Sequence, residues 1–245
     1  MTILRVQGTA NLLIAGLAPC DRELLEPHLV TVELKFRQRL ESANTKVDRV
    51  HFIDRGLASV IATGGGRRQQ AEVAVVGREG MTGVSVILGV GRSPHEVLMQ
   101  TEGRARAIPA AVLHLLLGKS NSLMKSLLRY VHVASVQTAH TALANAQGRI
   151  EERLARWLLM AHDRFDTDDL PITHEFLSVM LGVRRAGVTL ALHRLDSVGL
   201  ISTARGSITV LDRQGLQERA NGLYGVPELE FERLFRAHPS EPEPP

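Results

Sequence analysis

The stretch THEFLSVMLGVRRAGVTLALHRLDSVGLI, residues 173–201, decides how this chain is read. Thr173 is a favourable N-cap, and Phe176, Leu177, Met180 and Leu181 put an apolar face on a first helix of about two turns. Gly182 supplies the sharp turn that joins two crossed helices. In the second helix Val188, Leu192 and Leu195 stand at i, i+4 and i+7 and define a buried side. The same geometry sends Arg185, Ala186, Thr189 and His193 to the opposite side, with Thr173 and His174 at the start of the first helix completing the exposed set. No residue from Phe176 to Leu195 is acidic, while Arg184, Arg185, His193 and Arg194 all fall inside. Such a face suits the major groove of DNA: Arg grips guanine through two hydrogen bonds and Thr meets a base edge or a thymine methyl. Arg184 and Arg194, at the edges, suit phosphates. A plain helical hairpin with a solvated basic face has the same periodicity, so this stretch alone does not choose between the two.

The residues that follow tilt the balance. Leu200-Ile201-Ser202, then Arg205-Gly206-Ser207, then Ile208-Thr209-Val210-Leu211 read as a β-hairpin with a glycine tip, a wing that offers Arg205 to a phosphate. Upstream, Ile150, Leu154, Trp157, Leu158 and Ala161 form an amphipathic helix with Trp157 in the core, separated by the polar loop Asp166–Asp169.

Further upstream, residues ~120–146 contain neither Pro nor Gly, and Leu123, Leu127, Val131, Ala134, Thr138 and Ala142 recur at helical steps. One helix of this length spans ~40 Å, so it is expected to join two domains, and its small residues favour pairing with the same helix of a second chain. Before it, short runs rich in Val, Ile, Thr and Phe predict strands at Val30–Phe36, Val50–Ile53, Leu57–Ala62, Glu72–Val76, Val97–Thr101 and Arg104–Ile108, with Gly64-Gly65-Gly66 as a hairpin tip. That spacing suggests a small β-barrel or jelly roll. Residues 1–28 read as short helices, with Asp21 capping a turn that Pro27 ends. The expected fold is α+β, in four parts: a barrel domain over 1–118, a long helix over 119–147, a winged helix-turn-helix over 148–212, and a weakly helical tail over 213–245 whose end, HPSEPEPP, reads as disordered.

Bulk properties exclude several classes. The 245 residues carry a net charge of +3, a weak hint of a polyanionic partner. The single cysteine, Cys20, permits neither an intramolecular disulfide nor a cysteine-built metal or cluster site, and reads as an inert helix-start residue. No apolar run reaches the ~18 residues of a membrane span, and Asn11 interrupts the short apolar stretch near the N-terminus, so a cytoplasmic protein is expected. His174-Glu175 begins like a metalloprotease motif, but Ser178 stands where the second His is needed. Gly64-Gly65-Gly66-Arg67-Arg68 lacks the Gly-Lys-Ser/Thr of a phosphate loop, and no nucleophile triad is visible. An enzyme is therefore not expected, nor is any cofactor or metal. A ligand-binding or interaction module that never meets DNA stays as the alternative, though it gives no reason for the missing acids.

Arg149-Ile150, Leu154, Thr173, Leu177, Leu181-Gly182-Val183, Arg185, Val188, Leu192, Leu195 and Gly199-Leu200-Ile201, followed by the wing, resemble the helix-turn-helix of the Crp/Fnr regulators. Val50-His51-Phe52-Ile53, Gly56 and Val75-Val76-Gly77-Arg78-Glu79-Gly80 resemble, more loosely, that family's effector barrel. The likeness covers about residues 10–212. It implies a homodimeric transcription regulator on a near-palindromic site in double-stranded DNA, with half-sites about one turn apart, and RNA polymerase as a partner. It also implies an effector pocket at Gly80, Met81, Arg92, Ser93 and Ser135. Cyclic-AMP-binding members hold the phosphate with a Glu and an Arg-Ser or Arg-Thr pair. Here Met81 fills the Glu position, Arg92-Ser93 is displaced by about one residue, and Ala134-Ser135 replaces Thr-Ser. A doubly hydrogen-bonded phosphate then has little to bind, so cAMP is not expected. One cysteine cannot build the cluster of oxygen-sensing members, and His51 or His95 reads as structural rather than as a haem ligand. On the second helix Ala186 and Leu190 replace polar base readers, so a different operator is implied, and Arg184 replaces a capping Ser.

Overall fold

The computed structural model describes residues 11–64 and 69–235. Helices α1 (Leu12–Ala15) and α2 (Pro19–Leu25) and a 3-10 turn, Glu26–His28, lead into β1 (Val30–Leu34), β2 (Arg39–Glu41), β3 (Thr45–Lys46), β4 (Arg49–Arg55), β5 (Ala58–Thr63) and β6 (Gln70–Val76). After α3 (Val84–Ile87) come β7 (Arg92–Ser93), β8 (Glu96–Met99) and β9 (Gly103–Pro109), then α4 (Ala110–Lys119), α5 (Asn121–Gln147) and α6 (Ile150–His162). The last part holds β10 (Asp169–Leu170), α7 (His174–Met180), α8 (Arg185–Ser197), β11 (Ile201–Ala204), β12 (Ser207–Val210), α9 (Arg213–Arg219) and α10 (Val226–Phe235).

The N-terminal strands form antiparallel sheets ordered β1-β9-β4, β2-β8-β5-β6 and β3-β7. Their inner faces close on Leu34, Ile53, Ala58, Val76, Val97, Met99 and Ala105. Strand β4 is buried along Val50–Asp54, with Val50 and Phe52 clustered with Leu13, Ile14 and Leu17, and Asn11 Nδ2 donates to Ile53 O and to Gly80 O, each at 2.8 Å. Several expected features differ. Strand β1 stops at Leu34, and Arg37 takes φ 60° in the turn that follows. Strands β2, β3 and β7, of two or three residues, are too short to leave a periodic signal. Asp21 does not cap α2. It stands within that helix, whose cap position is Ala18, and its carboxylate accepts from Ser120 Oγ at 2.5 Å and Ser122 Oγ at 3.0 Å, tying α2 to the start of α5. The expected glycine tip connects paired β5 and β6, but Gly65 and Gly66 lie outside the described residues.

Helix α5 buries Leu123, Leu127, Tyr130, Val133, Gln137 and Ala144. Val131 and Ala134 are half-buried and Thr138 and Ala142 exposed, so the small stripe flanks the buried face and leaves a free surface along the helix. Its C-terminus ends at Gly148. Helix α6 then buries Leu154, Trp157, Leu158 and Ala161 in a cluster with Leu177, Val188, Leu192, Leu195, Ile201 and Ile208.

The tail departs most from expectation. Rather than weak helix, α9 packs on α6 through Leu216 and Ala220, and α10 folds back onto α5 with Phe231 1% exposed. Phe231 stacks on Phe235 at 4.8 Å between ring centres and joins Val133. The two phenylalanines supply an apolar face that the high Glu and Pro content around them conceals. The HPSEPEPP segment lies outside the described residues. Among the described residues, no single helix is long and apolar enough to cross a membrane.

Candidate nucleic-acid interface

Helix α7 starts at Thr173, whose Oγ1 accepts from Phe176 N at 3.2 Å. Leu177 and Met180 anchor its inner side. Gly182 adopts φ +62°, a left-handed conformation that glycine reaches at least cost and that turns the chain into α8. Val188, Ala191, Leu192 and Leu195 bury the inner side of α8. What remains outside is Arg184, Arg185, Ala186, Thr189, Leu190 and His193, all exposed. Arg185, Ala186, Thr189, Leu190 and His193 line one open concavity. His174, half-buried, reaches Thr189 Oγ1 at 3.4 Å, so the first helix contributes to the same surface.

Strand β10 joins the β11–β12 hairpin in a three-stranded sheet, β10-β12-β11. Gly206, at φ +81°, makes the tip, and Arg205 beside it is exposed. The wing is braced against α8: the Asp196 carboxylate accepts from Thr203 N at 3.1 Å and Thr203 Oγ1 at 2.8 Å. Thr173, His174, Arg184, Arg185, Ala186, Thr189 and His193 are thus brought onto neighbouring positions of the two helices, with Arg205 on the adjoining wing. Arg194 differs from its expected phosphate role, because its guanidinium is turned to Glu151 on α6. Arg184, the cap residue of α8, makes no side-chain capping bond, so the first amides of that helix stay open to an anion. Leu190 is the residue of this face that charge and polarity do not flag. It is 53% exposed, on the side of α8 opposite Val188 and Leu192.

This domain sits directly on the barrel. Trp157 Nε1 donates to Glu72 Oε1 at 2.6 Å, and the Ser59 hydroxyl donates to the other carboxylate oxygen. Burial pushes the Glu72 carboxyl up to about 7, while those two hydrogen bonds pull it down. Arg164 Nε and Nη2 reach Glu79 Oε1 at 2.9 and 2.6 Å, and Nη1 donates to Met160 O at 2.6 Å. Arg78 pairs with Asp166. Beside these, Asp163 accepts from Arg213 Nη2 and from the Tyr224 hydroxyl, each at 2.6 Å, which fixes the chain between α9 and α10.

A cavity of about 630 Å³ lies between the barrel, α5 and α10. Met81, Arg92, Ser93 and Ser135 line it; Gly80 does not, and stands behind the wall. A Cβ on Gly80 would fall 2.3 Å from the Tyr130 hydroxyl, which donates to Met81 O at 3.1 Å. Tyr130, Glu41, Glu228 and Phe231 also face the cavity. They escape a linear reading because they come from distant strands and from a helix the tail's composition hides.

Residues 152–219 match the Crp-like helix-turn-helix domain family. No curated protein sequence matches the chain. Among solved structures, a Crp/Fnr-family protein from Eubacterium rectale is 19% identical, with a TM-score of 0.66, 86% of this chain covered and 98% of that one. FixK2 from Bradyrhizobium japonicum is 14% identical, with a TM-score of 0.66 and coverage of 78% and 96%. A CRP/FNR-family transcriptional regulator from Thermus thermophilus is 23% identical, with a TM-score of 0.63 and coverage of 79% and 99%. The chain therefore has the fold of the Crp/Fnr regulators, an N-terminal sheet domain, a long helix and a Crp-like helix-turn-helix.

Proposed function

We propose that the chain is a sequence-specific transcription regulator that acts as a homodimer on a near-palindromic operator in double-stranded DNA. The observation that carries this reading is the exposed, acid-free face of α8, set on a Crp-like helix-turn-helix beside a wing that ends in Arg205. In this reading α8 lies in the major groove, with Arg185 gripping a guanine and Thr189 and His193 meeting neighbouring base edges. Ala186 and Leu190 offer apolar contact to thymine methyls. Thr173, His174, Arg184 and Arg205 hold the backbone and set the register. The free stripe of α5 pairs with its twin, which spaces two copies of α8 about one turn of DNA apart. Bound at a promoter in the cytoplasm, the dimer works on RNA polymerase. The cavity behind α5 is the effector site, with Met81, Arg92, Ser93 and Ser135 in its wall. Arg92 Nη1 donates to Asn44 O at 3.2 Å and is exposed, and Met81 supplies no charge, so cAMP is not the effector.

Fluorescence anisotropy of the full chain with labelled duplex DNA tests the reading. The predicted result is binding whose logarithm falls linearly with the logarithm of salt concentration, as release of phosphate counterions requires. Absence of binding at low salt, in the presence and absence of cell extract, would refute it.

A further inference from the structure

The walls of the cavity between the barrel, α5 and α10 carry a chemical preference of their own, which rests on the reading of that cavity as the effector site. Most of its lining is hydrocarbon: Val60, Val75, Met81, Val84, Val97 and Val131 are representative. Its size, about 630 Å³, falls within the range of small-molecule sites, which pair a mainly apolar lining with a few placed polar groups.

The polar groups present disfavour an anion. Arg164 lines the cavity, but its guanidinium is spent on Glu79 and on Met160 O, and it is 1% exposed. Arg92 also lines it, but is exposed to solvent, with Nη1 on Asn44 O. Three carboxyls face the cavity: Glu41, Glu79 and Glu228, 6%, 4% and 2% exposed. Burial pushes Glu41 and Glu228 above the usual carboxylate range, against hydrogen bonds and, for Glu228, nearby arginines that pull the other way. An anion inside would therefore meet hydrocarbon and carboxyls, with no unengaged cation beside it among the described residues except the exposed Arg92, and a charge buried without a partner is costly.

We infer that this cavity binds an uncharged, mainly hydrocarbon molecule of ring or chain type that carries no anionic group. Such a ligand keeps its apolar body against the valines. The cavity wall includes Arg164 and Glu79, which pair across the junction between the barrel and the helix-turn-helix domain. Occupancy is thereby coupled to how the helix-turn-helix rests on the barrel.

The test uses N-phenyl-1-naphthylamine, a neutral aromatic fluorophore, titrated into the full chain without DNA. The expected result is saturable fluorescence enhancement at about one site per chain, undisturbed by millimolar cAMP or cyclic di-GMP. Filling the cavity with Val60→Trp, or with Val84→Trp if the first does not fold by circular dichroism, should weaken binding at least tenfold. Three results would overturn the inference: no saturable binding, binding that ignores a folded cavity-filling variant, or displacement of the dye by either cyclic nucleotide. Because the dye is read without DNA, these outcomes are independent of whether the chain binds an operator, which the anisotropy titration decides separately.

Discussion

At the scale of single residues, the two arginines of the proposed DNA-facing surface are assigned separable roles. In the proposed docking Arg185, on the first turn of α8, reads base edges, and Arg205, at the wing tip, reaches only backbone. Arg185→Ala should cost about 1–3 kcal/mol on the preferred sequence and relax the preference there, whereas Arg205→Ala should weaken all duplexes about equally and lower the salt slope by about 1. Anisotropy against matched and scrambled duplexes distinguishes them; an unchanged preference in Arg185→Ala would remove α8 from the groove. Glu72 gives a second prediction. Its carboxyl ionises at about 7 in the folded chain against an ordinary value of 4.5. A raised folded value means that the stabilising contribution is complete below about 4.5 and is lost as pH rises to about 7. Thermal unfolding should therefore fall more steeply over that window in the wild type than in Glu72→Gln, and parallel curves would show that Glu72 does not titrate there. Much of the DNA-facing set was legible from the helical period alone, because Val188, Leu192 and Leu195 dictate which residues face out. The pairing of Trp157 with Glu72 was not, since it joins residues 85 apart in sequence.

At the scale of elements, two helices carry the remaining expectations. The free stripe of α5 is the proposed dimer seam, and a charge at exposed Ala142 should break it without touching the cavity or the buried face. Sedimentation of Ala142→Glu should show a dimer dissociation constant raised at least tenfold, with DNA affinity falling in step; an unchanged mass would place the seam elsewhere. Helix α10 is the element the sequence hid. Its Glu and Arg residues suggest a solvated tail, while Phe231 and Phe235 on one side dock it to α5. Phe231→Ala empties a fully buried ring position and should cost about 3–5 kcal/mol in denaturant unfolding. A cost below about 1 kcal/mol would mean that α10 is only loosely laid on the surface. Length explains the contrast with α5, whose 27 residues repeat their pattern over about seven turns, while the ten of α10 offer too few repeats against a polar background.

At the scale of the whole molecule, the barrel and the helix-turn-helix share one apolar cluster in which Leu57, Ile61 and Val75 of the barrel meet Trp157 and Leu158 of α6. The ion pairs Arg164–Glu79 and Arg78–Asp166 cross the same junction, one fully buried and one with an exposed acid. Removing one partner of a buried pair strands the other's charge, so the junction resists piecemeal loosening. The architecture of sheets, long helix and winged helix-turn-helix was legible from texture, since a strand-rich stretch gives way to a helix-rich one after Pro109. The junction itself was invisible, because charges that pair across domains look, in sequence, like ordinary surface charges. The central claim is that two copies of this chain read DNA through two copies of α8. The most direct measurement is selection of bound duplexes from a random pool by the purified full-length chain, repeated with cell extract to supply an effector. A two-fold symmetric motif with half-sites about one turn apart is the predicted result. Recovery of no motif under either condition, or of a single unrepeated half-site, would contradict it.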